Sequence, residues 1–216
     1  MKYATADFMV LLFSIILAFV LWFVMFILRP FNFWLMMTVS TSLLAAISFA
    51  FTGGTLISLK ELSWRNVLLG LPAAVLLYLV FLAGNQVLIL VADFFPALIR
   101  DRAGNIEAVY ANRGGLSPIV VGALLFFPIG FGEEIFWRGF VQARFSQKWN
   151  PLAAFALTTL LYVGVHVPTG NPVLILASFT CGVFWGGLYM ASGKLVTVLV
   201  SHMVWDPLIF VILPIK

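Results

Sequence analysis

Charged side chains are scarce in this sequence. Lys and Arg number 12 and Asp and Glu 8, together 9% of 216 residues, whereas about 25% is usual in a soluble domain. Hydrophobic residues make up 63%, and the mean hydropathy is +1.11. So few polar side chains cannot cover a water-facing surface, which excludes a soluble globular domain. The composition also excludes disordered, collagen-like and coiled-coil chains.

Cysteine and clustered basic residues are scarce as well. The single cysteine, Cys181, excludes an internal disulfide and lies in an apolar stretch, where a thiol packs as a small hydrophobic group. The net charge is +4, but the basic residues are scattered singly between apolar blocks. Nucleic-acid-binding surfaces need clusters of such residues, so we expect no nucleic-acid partner. The expected surrounding is a lipid bilayer.

Long apolar runs predict about seven transmembrane helices. Phe8 to Leu28 is a charge-free run of 21 residues, enough to cross about 30 Å of hydrocarbon at about 1.5 Å per residue. It is too long for a signal-peptide core, so we expect it to be retained. The predicted spans are 8–28, 33–51, 67–92, 116–140, 151–166, 173–191 and 195–213. The sequence thus predicts an all-α, polytopic transmembrane bundle.

The predicted bundle is one structural unit with two parts. Residues 1–115 hold three N-terminal transmembrane helices and a connecting loop, and residues 116–216 hold a core of four transmembrane helices. The polar stretch 93–115 carries three acids and three bases, which indicates a loop or a surface helix. A cytoplasmic N-terminus places six basic residues inside and five outside, which favours that orientation by one.

Six ionisable side chains fall within the predicted spans, where each costs on the order of 2.5 to 3.5 kcal/mol to insert. A small apolar protein that keeps them at this cost is predicted to use them, at a buried polar cavity between the helices. Both histidines of the chain belong to this set. The six residues are Glu133, Glu134, Arg138, His166, His202 and Asp206.

The spacing of these residues sorts them into pairs. Glu134 and Arg138 are four apart with the acid first, the favourable order for an ion pair on one helix face. Glu133 is turned by about 100° from its neighbour, so we expect it to remain available for reaction. The same spacing of four recurs in two further pairs, Tyr162 with His166 and His202 with Asp206.

Two expectations concern helix geometry. Pro128, Gly130 and Gly132 precede the glutamates and are expected to loosen the helix and admit water. Counting about 1.5 Å per residue from the cytoplasmic edges places His202 about 10 Å deep but His166 about 24 Å deep. Helix tilt, or a later start of the fifth helix, would be needed to close that difference.

Three motifs in order resemble those of the CPBP family, which are intramembrane proteases. The family includes type II CAAX prenyl endopeptidases and proteins of bacteriocin processing or self-immunity. The resemblance covers residues 116–213, whereas the first three spans contribute only hydrophobicity. The motifs are EExxxR (Glu133, Glu134, Arg138), aromatic-xxx-His (Tyr162, His166) and His-xxx-Asn/Asp (His202, Asp206).

The resemblance implies an endopeptidase acting on a membrane-associated peptide or protein, in the plasma (inner) membrane of a prokaryote. Glu133 would be the general base for a water that His166 also holds, and His202 with Asp206 would stabilise the oxyanion. Glu134, Arg138 and Tyr162 would be structural residues around this site.

Two positions depart from the family pattern. Tyr162 stands where Phe is common, which keeps the ring and adds a hydroxyl. Asp206 stands where Asn is common, and a carboxyl group must be protonated to donate a hydrogen bond to an oxyanion. Otherwise Asp206 would orient His202 through the imidazole N–H.

Other mechanisms and functions stay open. Zinc bound by Glu133, His166, His202 and Asp206 is possible, but no HExxH motif is present, so chemistry without a metal is favoured. Buried acids and histidines also form proton relays in transporters, although the chain lacks an inverted repeat. A third alternative is a non-catalytic bacteriocin-immunity protein of the same fold.

Overall fold

The computed structural model describes residues 2–52, 56–58, 61–95, 101–111 and 115–215, with side chains from residue 8 onward. Within these ranges the chain forms eight helices and no strand. Seven of the helices are long and apolar enough to cross a membrane. The predicted all-α, polytopic transmembrane fold is therefore confirmed.

The helix bounds follow the predicted spans with small changes. Helix α3 starts before the predicted residue 67 because Ser63 caps it, its hydroxyl accepting a hydrogen bond from the backbone N–H of Asn66 at 3.3 Å. Helix α5 runs past the predicted residue 140 because Val141 and Phe145 are still buried. The helices are α1 (Lys2–Phe23, continued by a wide turn at Val24–Leu28), α2 (Phe33–Thr52), α3 (Trp64–Phe94), α4 (Arg102–Tyr110), α5 (Pro118–Ser146), α6 (Pro151–Thr169), α7 (Pro172–Ser192) and α8 (Leu195–Ile212).

The predicted polar stretch 93–115 contains the short helix α4, whose N-cap is Asp101. Residues 96–100 and 112–114 of this stretch lie outside the described residues. The Asn171 side chain donates a hydrogen bond to the Asn105 carbonyl at 2.8 Å, which ties α4 to the start of α7. Helix α4 is therefore a surface helix packed against the membrane-spanning bundle.

Helices α5, α6 and α7 begin in the same way. Each has a Ser or Asn N-cap whose side chain accepts a backbone N–H, followed directly by a proline at the first helical position, where its missing N–H costs nothing. The caps are Ser117, Asn150 and Asn171. These signals fix where three of the four C-terminal spans begin.

The two most enclosed spans carry most of the ionisable groups. Within the most apolar part of each span, 56% of α8 and 50% of α5 is buried, against 17% of α3. A Cβ atom on Gly70 of α3 would lie 2.6 Å from the Cβ atom of Val200, so glycine lets α3 pack closely on α8. The polar residues are thus held in the centre of the bundle.

Helix α5 is interrupted just before its two glutamates. Phe127 has the extended dihedral angles φ −155° and ψ 126° beside Pro128, and helical geometry resumes at Gly130. A Cβ atom on Gly132 would lie 2.8 Å from the Thr41 carbonyl oxygen, so this glycine allows α5 to contact the backbone of α2. The expected irregularity is present, and it directs the next helical turn into the bundle.

Candidate active site

A cavity of about 310 Å³ lies between the helices. This is at the lower end of the roughly 300 to 1,000 Å³ typical of ligand pockets. Side chains from α1, α2 and α4 to α8 line it, so the N-terminal helices also contribute to its wall. Its lining includes the four residues that the sequence predicted to be catalytic, namely Glu133, His166, His202 and Asp206.

Glu133 lies at the wall of this cavity, and only 4% of its surface is exposed. Its Oε2 atom accepts a hydrogen bond from the Tyr162 hydroxyl at 3.0 Å. The hydroxyl that distinguishes Tyr162 from the more common Phe therefore orients this carboxylate. Within the described residues, no lysine or arginine forms an ion pair with Glu133.

His166 lies at the end of α6, where its ring is held by a backbone carbonyl of the same helix and by aromatic rings. Its Nδ1 atom is 2.8 Å from the Tyr162 carbonyl oxygen. A carbonyl can only accept, so Nδ1 carries the hydrogen, and in the neutral ring Nε2 presents a lone pair. The rings of Tyr162 and Phe26 pack against it at centroid distances of 5.2 and 5.7 Å.

Glu134 forms the centre of a buried ion-pair cluster with Arg138 and His202. Its Oε1 atom is 2.7 Å from a terminal nitrogen of Arg138 and 2.8 Å from His202 Nδ1. The predicted pair of Glu134 and Arg138 is present, and neither residue lines the cavity. The contact with His202 was not predicted, because the two residues are 68 positions apart.

His202 joins this cluster to the cavity. Its Nε2 atom is 3.4 Å from Asp206 Oδ1, so each ring nitrogen faces a carboxylate. The ring stacks on Trp185 with centroids 3.6 Å apart and an interplanar angle of 18°. Trp185 is itself held by a hydrogen bond from its Nε1 to the Ser201 hydroxyl at 3.2 Å. Sequence reasoning did not assign Trp185 to the site, because α7 carries no Asp, Glu, Lys, Arg or His that would mark a polar face.

Arg138 connects three helices behind the cavity. Its guanidinium lies over the Tyr162 ring at 4.9 Å and near the Trp185 ring at 5.8 Å, within the range of cation–π attraction. It also donates a hydrogen bond to the Cys181 carbonyl at 3.4 Å. These contacts make Arg138 a packing centre for α5, α6 and α7.

The expected alternative with a zinc ion needs at least three ligands directed at one point. Among the residues that the structure describes, no group of three or more His, Cys, Asp or Glu side chains has this arrangement.

A comparison with protein families finds one match to this region. Residues 115–208 match the family model described as "Type II CAAX prenyl endopeptidase Rce1-like". The matched segment contains all three motifs and the helices from α5 to most of α8. Neither the curated proteins nor the solved structures gave a match.

Proposed function

Since the chain belongs to the CPBP family through residues 115–208, we propose that it hydrolyses a peptide bond of a membrane-associated protein or peptide with a water activated by Glu133. The family and the seven apolar helices make it an integral membrane protein and, at family level, a CAAX-type intramembrane endopeptidase. One observation carries the finer proposal. Glu133 lies at the cavity wall with His166, whereas Glu134 is engaged by Arg138.

The first step is attack by water on the peptide carbonyl. Tyr162 occupies Oε2 of Glu133, which leaves Oε1 to take a proton from the water. The Nε2 lone pair of His166 accepts the second water hydrogen and holds the oxygen in place. A bond forms between the water oxygen and the carbonyl carbon, and the carbonyl electron pair moves onto its oxygen. General-base catalysis of this kind contributes roughly 10² to 10⁴ in rate.

The resulting oxyanion needs a hydrogen-bond donor. In our proposal His202 carries a proton on each nitrogen. The Nδ1 proton is donated to Glu134, and the Nε2 proton, which faces Asp206 in the free protein, is shared with the oxyanion when substrate is bound. Asp206, 3.4 Å from Nε2, orients this ring, and we favour that role over direct donation by a protonated Asp206. Such stabilisation is worth roughly 10² to 10³ in rate.

Collapse of the intermediate completes the reaction. The oxyanion electron pair re-forms the carbonyl, the C–N bond breaks, and Glu133 returns its proton to the leaving nitrogen. One water is consumed, and the products are a new carboxyl terminus and a new amino terminus. No metal or other cofactor takes part in this proposal.

The experiment that tests the proposal compares wild type with Glu133→Gln. We expect Glu133→Gln membranes to lose peptide cleavage and the corresponding cells to accumulate a precursor in the membrane peptidome. Glu107→Gln, an exposed change on α4, is the matched control and should behave as wild type. Unchanged proteolysis by Glu133→Gln would contradict the proposal, and loss of wild-type cleavage on addition of EDTA would favour the zinc alternative.

Two further outcomes would favour the other functions. Proton flux into proteoliposomes that depends on His166 would indicate a transporter. Protection from a toxin that survives loss of both Glu133 and His202 would indicate a non-catalytic immunity protein. Both assays use the full-length chain in a bilayer.

We also propose that the cavity opens on the side of the membrane opposite the N-terminus. The end of α1, helix α4 and the turn between α6 and α7 all contribute to its lining, and these parts lie on that side by the count of spans. With a cytoplasmic N-terminus in a prokaryotic plasma membrane, that side is extracytoplasmic.

Cysteine labelling tests this orientation. The exposed cavity-lining residue Ala108 is changed to Cys in a Cys181→Ser background. A membrane-impermeant maleimide is expected to label Ala108→Cys in intact cells, with the Cys181→Ser protein as the unlabelled control. Labelling only after lysis would show that the cavity opens towards the cytoplasm and would contradict the proposed orientation.

A further inference from the structure

One cation at the cavity has no role in the chemistry above. Arg29 follows the last turn of α1 and is exposed, yet it also contributes to the cavity lining, which places it at the mouth. Among the described lining residues it is the single Lys or Arg. It lies outside the matched segment 115–208, so it is a feature of this chain rather than of the family region.

The backbone at Arg29 is one that glycine usually adopts. Its φ of 46° and ψ of 49° are left-handed, and its N–H closes the end of α1 by donating to the Val24 carbonyl at 2.8 Å. A side chain is disfavoured in this conformation. A residue other than glycine in this conformation therefore suggests that its side chain has a function.

One hydrogen bond positions the guanidinium of Arg29 and leaves its terminal nitrogens without a partner among the described residues. Its Nε donates to the Phe26 carbonyl at 2.8 Å. Among the described residues this is the one hydrogen bond of the Arg29 side chain, and none of the ion pairs includes Arg29. Both terminal nitrogens are therefore available, and together they match the two oxygens of a carboxylate.

We infer that Arg29 binds a carboxylate of the peptide substrate at the cavity mouth and thereby selects acidic over neutral peptides. This inference rests on the proposed endopeptidase function. The carboxylate has two possible sources, the free C-terminus of the peptide or an Asp or Glu side chain near the scissile bond. Deeper in the cavity the substrate meets the carboxylates of Glu133 and Asp206, which disfavour an acidic group there. The acidic group of a bound peptide is thus held at the mouth.

The test uses purified full-length protein in phosphatidylcholine vesicles and three randomised peptide pools. One pool has free C-termini, one has amidated C-termini, and one has amidated C-termini with Asp and Glu replaced by Asn and Gln. Relative kcat/KM values are read by mass spectrometry. Wild type is expected to prefer carboxylate-bearing peptides by about 10- to 100-fold. A drop in cleavage on amidation identifies the C-terminus as the bound carboxylate, and a drop on replacement of Asp and Glu identifies a side chain.

Three substitutions of Arg29 distinguish an effect of its charge on substrate preference from an effect on folding. Arg29→Gly suits the left-handed backbone and should keep or raise the thermal midpoint while abolishing the preference for acidic peptides. Arg29→Gln should abolish it as well, and Arg29→Lys should retain part of it. Cleavage of the neutral pool should be the same in all of them.

Contrary results fall into distinct groups. An unchanged preference in Arg29→Gly and Arg29→Gln would overturn the inference while leaving the proposed function intact, provided Glu133→Gln is inactive. An effect of Arg29→Gly that follows added phosphatidylglycerol rather than peptide charge would assign Arg29 to lipid headgroups and overturn the inference. Absence of cleavage of every pool by wild type would contradict both proposals.

Discussion

Two adjacent carboxylates of α5 lie in very different surroundings. Glu133 lines the cavity and accepts one hydrogen bond from Tyr162, whereas Glu134 lies in the ion-pair cluster with Arg138 and His202. Both are buried, at 4% and 0% exposure. Burial alone therefore does not distinguish the two carboxylates. Their contacts with cations do, because Glu134 is paired with Arg138, whereas among the described residues Glu133 is paired with no Lys or Arg.

The largest effect is expected from breaking the ion-pair cluster. Arg138→Met leaves Glu134 without its arginine inside the bundle, and removing one partner of a buried pair costs about 3 to 5 kcal/mol. The double variant Glu134→Gln/Arg138→Met removes both charges and should be more stable than Arg138→Met. Thermal unfolding in detergent measures both. Equal midpoints for the single and double variants would contradict this account of the cluster.

A loss confined to activity is expected at the cavity wall. His166→Phe keeps an aromatic ring between Phe26 and Tyr162 but removes Nε2. We expect kcat to fall by about 10², with a small change in the unfolding midpoint. A variant that is fully active would remove His166 from the proposed mechanism.

A smaller effect is expected where α5 meets α2. Gly132→Ala places a Cβ atom 2.8 Å from the Thr41 carbonyl, and overpacking of this kind costs about 1 to 3 kcal/mol. The shift should also move Glu133 and lower kcat. Gly187→Ala is the control, since a Cβ atom there meets nothing within 4 Å. Equal effects of the two variants would show that this contact does not position the site.

The smallest effect is expected from Tyr162→Phe. The change removes the hydrogen bond to Glu133 but keeps the ring beneath Arg138. We expect kcat to fall by about 10-fold or less. A loss as large as that of Glu133→Gln would mean that the hydroxyl takes part in the chemistry rather than orienting the base.

Much of the fold could be predicted from the sequence because its signals are local. Apolar runs define the seven spans, and Ser-Pro and Asn-Pro pairs fix several helix starts. The pair of Glu134 and Arg138 follows from one helical turn. These features depend on neighbours within about four residues.

The contacts between helices could not be predicted in this way. The bond from His202 to Glu134 and the stacking on Trp185 depend on how α5, α7 and α8 pack. Counting along straight helices placed His166 and His202 at different depths, yet both line one cavity. Nor does spacing show that Arg29, in the first half of the chain, reaches the same cavity.

The most direct test measures turnover and stability side by side for Glu133→Gln and Glu134→Gln. The account predicts that Glu133→Gln lowers kcat by about 10² to 10⁴ and unfolds near the wild-type midpoint. Glu134→Gln should unfold at a clearly lower temperature while keeping measurable turnover. The reverse pattern, with an active Glu133→Gln and an inactive but fully stable Glu134→Gln, would contradict the assignment of Glu133 as the base.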